Sequence, residues 1–181
     1  MKKKILLGTT AAAVVAAGTF GAVSANASAP QAAPAAVVAK ADAGDDDLRQ
    51  DTHLTIKAAT KAAQATLKAA EKEGQRVSVA VVDRNGNTIV TLRGDGAGPQ
   101  SYESAERKAF TAVSWNAPTS VLAGRLAQAP NLKDIPGTLF LAGGAPVTAG
   151  GAPIAGIGVA GAPSGDLDEK FAQAGVASLN D

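Results

Sequence analysis

Between Val77 and Ala97 the chain reads V-S-V-A-V-V-D-R-N-G-N-T-I-V-T-L-R-G-D-G-A, and no other stretch constrains the fold as tightly. Val77, Val79 and Val81 alternate with Ser78, Ala80 and Val82, a period of two in which both faces are fairly apolar. That pattern predicts a central strand covered on both sides. Asp83-Arg84-Asn85-Gly86 supplies turn chemistry, because Asn and Gly tolerate the positive φ of a tight hairpin. Thr88 to Leu92 then returns as the partner strand, and Arg93 to Ala97 leaves the sheet in a glycine-rich loop.

The flanking sequence supplies what covers this hairpin. Thr55 is the predicted N-cap of a helix with Ile56, Ala59, Ala63, Leu67 and Ala70 at helical spacing and Gly74 at its end. Ser101 is the predicted N-cap of a second helix, Tyr102 to Trp115, with a stripe of Ala105, Ala109 and Ala112 and a charged flank of Glu103, Glu106, Arg107 and Lys108. Thr119 starts a short third helix. Thr138 to Leu141, Pro146 to Thr148 and Pro153 to Ala160 read as three further strands. Gly156 and Gly158 strip one face of the last strand, which predicts close approach by a helix or a ligand. Ser164 caps a final helix with Asp166, Asp168 and Glu169 in its first turn. Hairpin-linked strands imply an α+β fold, an antiparallel sheet of five strands flanked by helices. So many small core residues leave little bulk, and oligomer formation is expected to compensate.

The N-terminus reads as an address. Lys2 to Lys4 precede an apolar run and Ala25-Asn26-Ala27 offers a cleavage site, so residues 1–27 are expected to be a secretory signal peptide. Residues 28–47 read as a flexible Ala/Pro-rich linker and residues 48–181 as the domain. Loss of the three lysines takes Lys+Arg from 17 to 14 against 16 Asp+Glu, near −2, so nucleic-acid binding has no electrostatic support. Cysteine is absent, the one Met is the initiator, and the one histidine is His53. Disulfides and thiolate or thioether ligation are thereby excluded. No nucleophilic triad and no phosphate-cradling loop can be assembled from these residues.

V-A-V-V-D-R-N-G-N (Val79 to Asn87), R-G-D-G-A (Arg93 to Ala97), the alanine-rich run from Ser101 to Ala112, G-G-A-P-V (Gly143 to Val147) and I-A-G-I-G-V-A-G-A (Ile154 to Ala162) occur in one order. Together they resemble the GlcG/HbpS family over about Leu54 to Leu179, and the export signal resembles its secreted branch. The resemblance implies a sandwich around an antiparallel sheet, assembled as an oligomer, an octamer in the HbpS branch. It implies a secreted, extracellular protein on the cell-wall side that binds haem and iron and senses or buffers haem and redox stress. The implied partner is a membrane sensor histidine kinase of a two-component system. Weak haem-degrading or peroxidase-like activity is the alternative, and a non-haem oligomeric binder of small ligands is the second.

Haem takes an axial ligand, and His53 and Tyr102 are the ordinary choices present. His53 reads equally as an exposed terminal histidine, and Tyr102 as a packing tyrosine with a wet hydroxyl. The resemblance adds Thr138, in I-P-G-T-L-F, as a haem-binding position; a threonine hydroxyl is a weak neutral ligand, so such a site is labile. Glu103 and Glu106 lie three apart on a helix, so both carboxylates project to one side. The family's E-x-x-E element implies an iron site there, whereas spacing alone favours a solvated face with Glu103 paired to Arg107.

Overall fold

The computed structural model describes residues 42–180. The expected signal peptide and the linker through residue 41 lie outside them, and the compact unit begins at Asp45. The elements are α1 (Ile56–Lys72), β1 (Ser78–Asp83), β2 (Thr88–Arg93), α2 (Pro99–Trp115), α3 (Thr119–Gly124), β3 (Gly144–Ala149), β4 (Ala152–Ala160) and α4 (Gly165–Ala177), with short 3-10 turns at Asp45–Asp47 and Pro130–Asp134. Among the described residues no helix is long and apolar enough to cross a membrane.

The strands form one antiparallel sheet in the order β2-β1-β4-β3. β1 is central, as its two apolar faces predict, and Val79, Ala80 and Val81 are fully buried. Val77, Val79 and Val81 join a cluster with Ala59, Ala62 and Ala63 of α1 and Phe171 and Ala172 of α4. Ala80 and Val82 face the other way and pack with Ala105, Ala109 and Val113 of α2. The result is three layers, α1 and α4 on one face of the sheet and α2 on the other.

Gly156 and Gly158 decide how close α2 lies. A Cβ built on either would collide with the carbonyl oxygens of Ala109 and Ala105. The bare face of β4 therefore belongs to a helix and holds no space for a ligand. Ile154 leaves that face, because the β3–β4 register shifts between Val147 and Thr148, and it packs in the opposite cluster.

The sheet has four strands and not the expected five. Thr138 to Leu141 is irregular, and the backbone groups at its start are taken by α2 and by its own turn. Arg107 Nη2 donates to the Thr138 carbonyl (2.7 Å), the Leu139 N–H donates to Thr111 Oγ1 (2.8 Å), and the Thr138 N–H donates to the Ile135 carbonyl (3.3 Å). With those groups paired, no strand neighbour is needed.

Several caps match expectation. Thr55 accepts from the Ala58 N–H (3.2 Å) and Ser164 from the Leu167 N–H (3.2 Å). Ser101 does not cap α2; the helix starts at Pro99 after Gly98, and the Ser101 hydroxyl is buried between the Gly98 carbonyl (2.6 Å) and Ser78 Oγ (2.8 Å). Proline at the first helical position explains the earlier start, since its missing N–H has no partner to lose there. Ile56, expected on the buried stripe, is 61% exposed.

Candidate functional site

α2 is the element from which the candidate residues radiate. Its small face is committed to the sheet, so its longer side chains leave along two flanks and an outer surface. On the flank beside β2, Glu106 accepts from Thr91 Oγ1 (3.0 Å), and Tyr102, one turn earlier, is 45% exposed. Further round the outer surface Arg107 and Thr111 hold the Thr138 segment.

Thr138 is almost completely buried, and its hydroxyl donates to the Ile135 carbonyl (2.7 Å). The residues on either side of it are not buried: Ile135 is 40% and Leu141 57% exposed. The Arg107 guanidinium lies over this segment, half-exposed, with Glu103 at 3.8 Å. Behind it, Phe140 packs edge-on against Trp115, ring centroids 5.2 Å apart. Apolar side chains and one cation thus surround a buried hydroxyl that is already hydrogen-bonded.

Phe110 connects this segment to the hairpin turn. A Cβ on Gly86 would stand 2.9 Å from one edge of the Phe110 ring, and a Cβ on Gly137 3.6 Å from the other. Both glycines have positive φ, so the two turns can lie flat against the ring. The sequence marks Phe110 only as a neighbour of the alanine stripe. Its meeting with Gly86 and Gly137 depends on residues 24 and 27 positions away and left no local signal.

His53 joins the same end of the molecule. Its Nδ1 is 3.8 Å from Asp83 Oδ2 at the hairpin turn. Burial works against the Asp83 carboxylate, but N–H groups of Asn87 and Asn85, the Asn87 amide and nearby His53 outweigh it and hold its pKa below the ordinary carboxylate range. The turn is organised by this carboxylate rather than by Asn85 in a left-handed conformation; Gly86 alone supplies the positive φ.

Glu103 and Glu106 do not converge. Glu103 is 78% exposed and near Arg107, whereas Glu106 is tied to β2. Among the described residues no group of three His, Cys, Asp or Glu side chains is placed to hold a metal ion. Tyr102 is exposed one turn before Glu106, whereas Thr138 is buried under Arg107 and Thr111.

A second polar constellation was not legible in the sequence. Lys108, expected on the charged flank, is buried: its Nζ donates to Asp168 Oδ2 (2.8 Å) and to the Val159 carbonyl (3.0 Å). Asp168 also accepts from the Ala162 N–H (3.0 Å); burial pushes its pKa up, against Lys108 and that N–H. Glu169 accepts from the Ser120 hydroxyl (2.5 Å), the Ser120 N–H (2.9 Å) and the Gly143 N–H (3.3 Å), which ties α4 to the start of α3. No buried side-chain polar atom among the described residues is left unpaired. This network joins α2, α3, β4 and α4.

A comparison with curated proteins gives no match. Among solved structures the chain resembles a Streptomyces reticuli HbpS double mutant carrying two Glu-to-Asp exchanges three positions apart. Identity is 75%, with 83% of this chain and 99% of that one covered and a TM-score of 0.75. It also resembles a structure of HbpS, at 79% identity, 77% and 99% coverage and a TM-score of 0.76. A complex of PduOC with haem is 26% identical, with 71% and 96% coverage and a TM-score of 0.65. The family model described as haem degrading protein HbpS-like matches residues 54–177, and with that span and those identities the chain belongs to the GlcG/HbpS family.

Proposed function

We propose that this is an exported, oligomeric haem- and iron-binding protein, an octamer, that senses or buffers extracellular haem and redox stress. Residues 1–27 direct its export, and it modulates a membrane sensor histidine kinase. The observation that carries the haem reading is the Thr138 segment: exposed Ile135 and Leu141 flank it, and Arg107 supplies a cation beside them. Haem needs an apolar surface and a partner for its propionates, and these residues supply both. The identity to HbpS and the haem bound by PduOC support the same reading. Bound haem supplies one-electron redox chemistry; the chain supplies Arg107 to orient propionates and Thr138 as a weak ligand. Thr138 is covered as placed, so it meets iron only if residues 135–141 move outward. That requirement suits a labile site. Glu103 and Glu106 have the spacing of the paired exchanges in the Streptomyces reticuli HbpS mutant and would form the iron site only once Glu106 releases Thr91 and turns toward Glu103. Titration with hemin should give a Soret shift at near one haem per chain, and a flat titration ends the reading.

Haem degradation is the second reading, favoured by the description of the family. The site holds no acid–base pair next to Thr138, so turnover is expected to be slow. Haem bleaching and ferrous iron release under peroxide measure it directly.

A further inference from the structure

α1 carries a feature that its packing does not explain. Lys57, Lys61, Lys68 and Lys72 are all exposed. At 100° per residue they fall within an arc of about 60° along about 22 Å of helix. Among the described residues none of the four is in an ion pair. Two of their pairs are four residues apart, where like charges destabilise a helix. The stripe therefore does not stabilise the isolated chain. Beside it lies a cleft of about 630 Å³, lined by Ile56, Ala58 and Leu179 with Lys57 and Lys61 also in its wall.

The N-terminal segment carries the complementary chemistry. Asp45–Asp47 form an exposed turn, and among the described residues no ion pair engages them. Leu48 follows at once and is 60% exposed. The next residues are tied to the hairpin turn, Asp51 accepting from Arg84 Nη1 (3.2 Å) and His53 facing Asp83. None of Asp45 to Leu48 lines the cleft of its own chain.

We propose that Asp45–Leu48 of one copy docks on α1 of a second copy, its carboxylates on the lysine stripe and Leu48 in the cleft. Two features match on each side: an acidic turn meets lysines, and an exposed leucine meets an apolar cleft. The contact is independent of haem; it rests on the proposed assembly and names a surface for it.

Charge-swapped full-length chains test this. One variant carries Asp45→Lys, Asp46→Lys and Asp47→Lys, the other Lys57→Glu, Lys61→Glu and Lys68→Glu. All six positions are exposed, and circular dichroism checks that each variant folds. Three reversed surface pairs should move the dissociation midpoint of each variant, read by light scattering, at least about tenfold higher in concentration. An equimolar mixture should return to the wild-type midpoint, because each strap then meets an opposite charge. Variants that assemble like wild type overturn the proposal and leave the assembly reading standing; a monomeric wild-type chain ends both. Failure of the mixture to recover, with recovery in one chain carrying all six changes, assigns the contact within a chain and also overturns it. The chain has no cysteine, so Leu48→Cys and Gln64→Cys offer a second measurement. Mixed and oxidised in air, they should give more linked dimer than either alone, and no excess counts against the proposal.

Discussion

Lys108 and Asp168 have 6% and 4% of their side chains exposed, and each depends on the other. Removing one partner leaves a buried charge uncompensated, which costs about 3–5 kcal/mol. Lys108→Met and Asp168→Leu are each expected to lower the urea midpoint severely, and the double variant should recover much of the loss. Thr138 makes the opposite case. Its side chain donates one neutral hydrogen bond, so Thr138→Val is expected to cost about 1 kcal/mol of stability. The same change should weaken hemin binding, and calorimetry and a Soret titration on one preparation separate the two effects. Arg107→Ala should weaken hemin binding as well and leave the Thr138 carbonyl without its donor.

At the scale of elements, the hairpin turn and the α2–β4 contact each rest on a single device. Asp83 has a folded pKa below its unfolded value, so its stabilising contribution is complete above about pH 4 and is lost as pH falls through the folded value. Asp83→Asn should therefore lower stability at neutral pH and flatten the acid side of the stability curve, as melting temperatures from about pH 7 to pH 3 would show. The α2–β4 contact rests on the absence of two side chains. Gly158→Ala drives a Cβ into the Ala105 carbonyl and is expected to cost about 3 kcal/mol, at the upper end for overpacking. Thermal unfolding checks it, and a neutral outcome would mean that α2 can lift from the sheet. The Thr138 to Leu141 segment teaches the complementary lesson. Its composition suits a strand, yet α2 offers Arg107 and Thr111 at the right height and takes its backbone groups first.

For the molecule as a whole, local pattern was enough to place most elements. The hairpin, the Thr55 and Ser164 caps and the burial of β1 on both faces follow from short-range periodicity and turn chemistry, and the ordered motifs carried the family. Pattern could not place what depends on long-range partners. Lys108 looks like any surface lysine until Asp168, 60 residues on, is brought beside it. Phe110 looks like core filler until two distant glycine turns close on its edges. Glu103 and Glu106 share a helix face by spacing, but β2 draws Glu106 aside. Short-range pattern and composition therefore set the repertoire: antiparallel strands, alanine-lined helices, and a ligand set without cysteine and with no methionine beyond the initiator. Packing between distant segments set the strand count, which charges are buried, and what each candidate residue around α2 touches. The physical reason is that periodicity reports which face is apolar, whereas a hydrogen bond or ion pair forms only where folding brings two remote groups within about 3 Å.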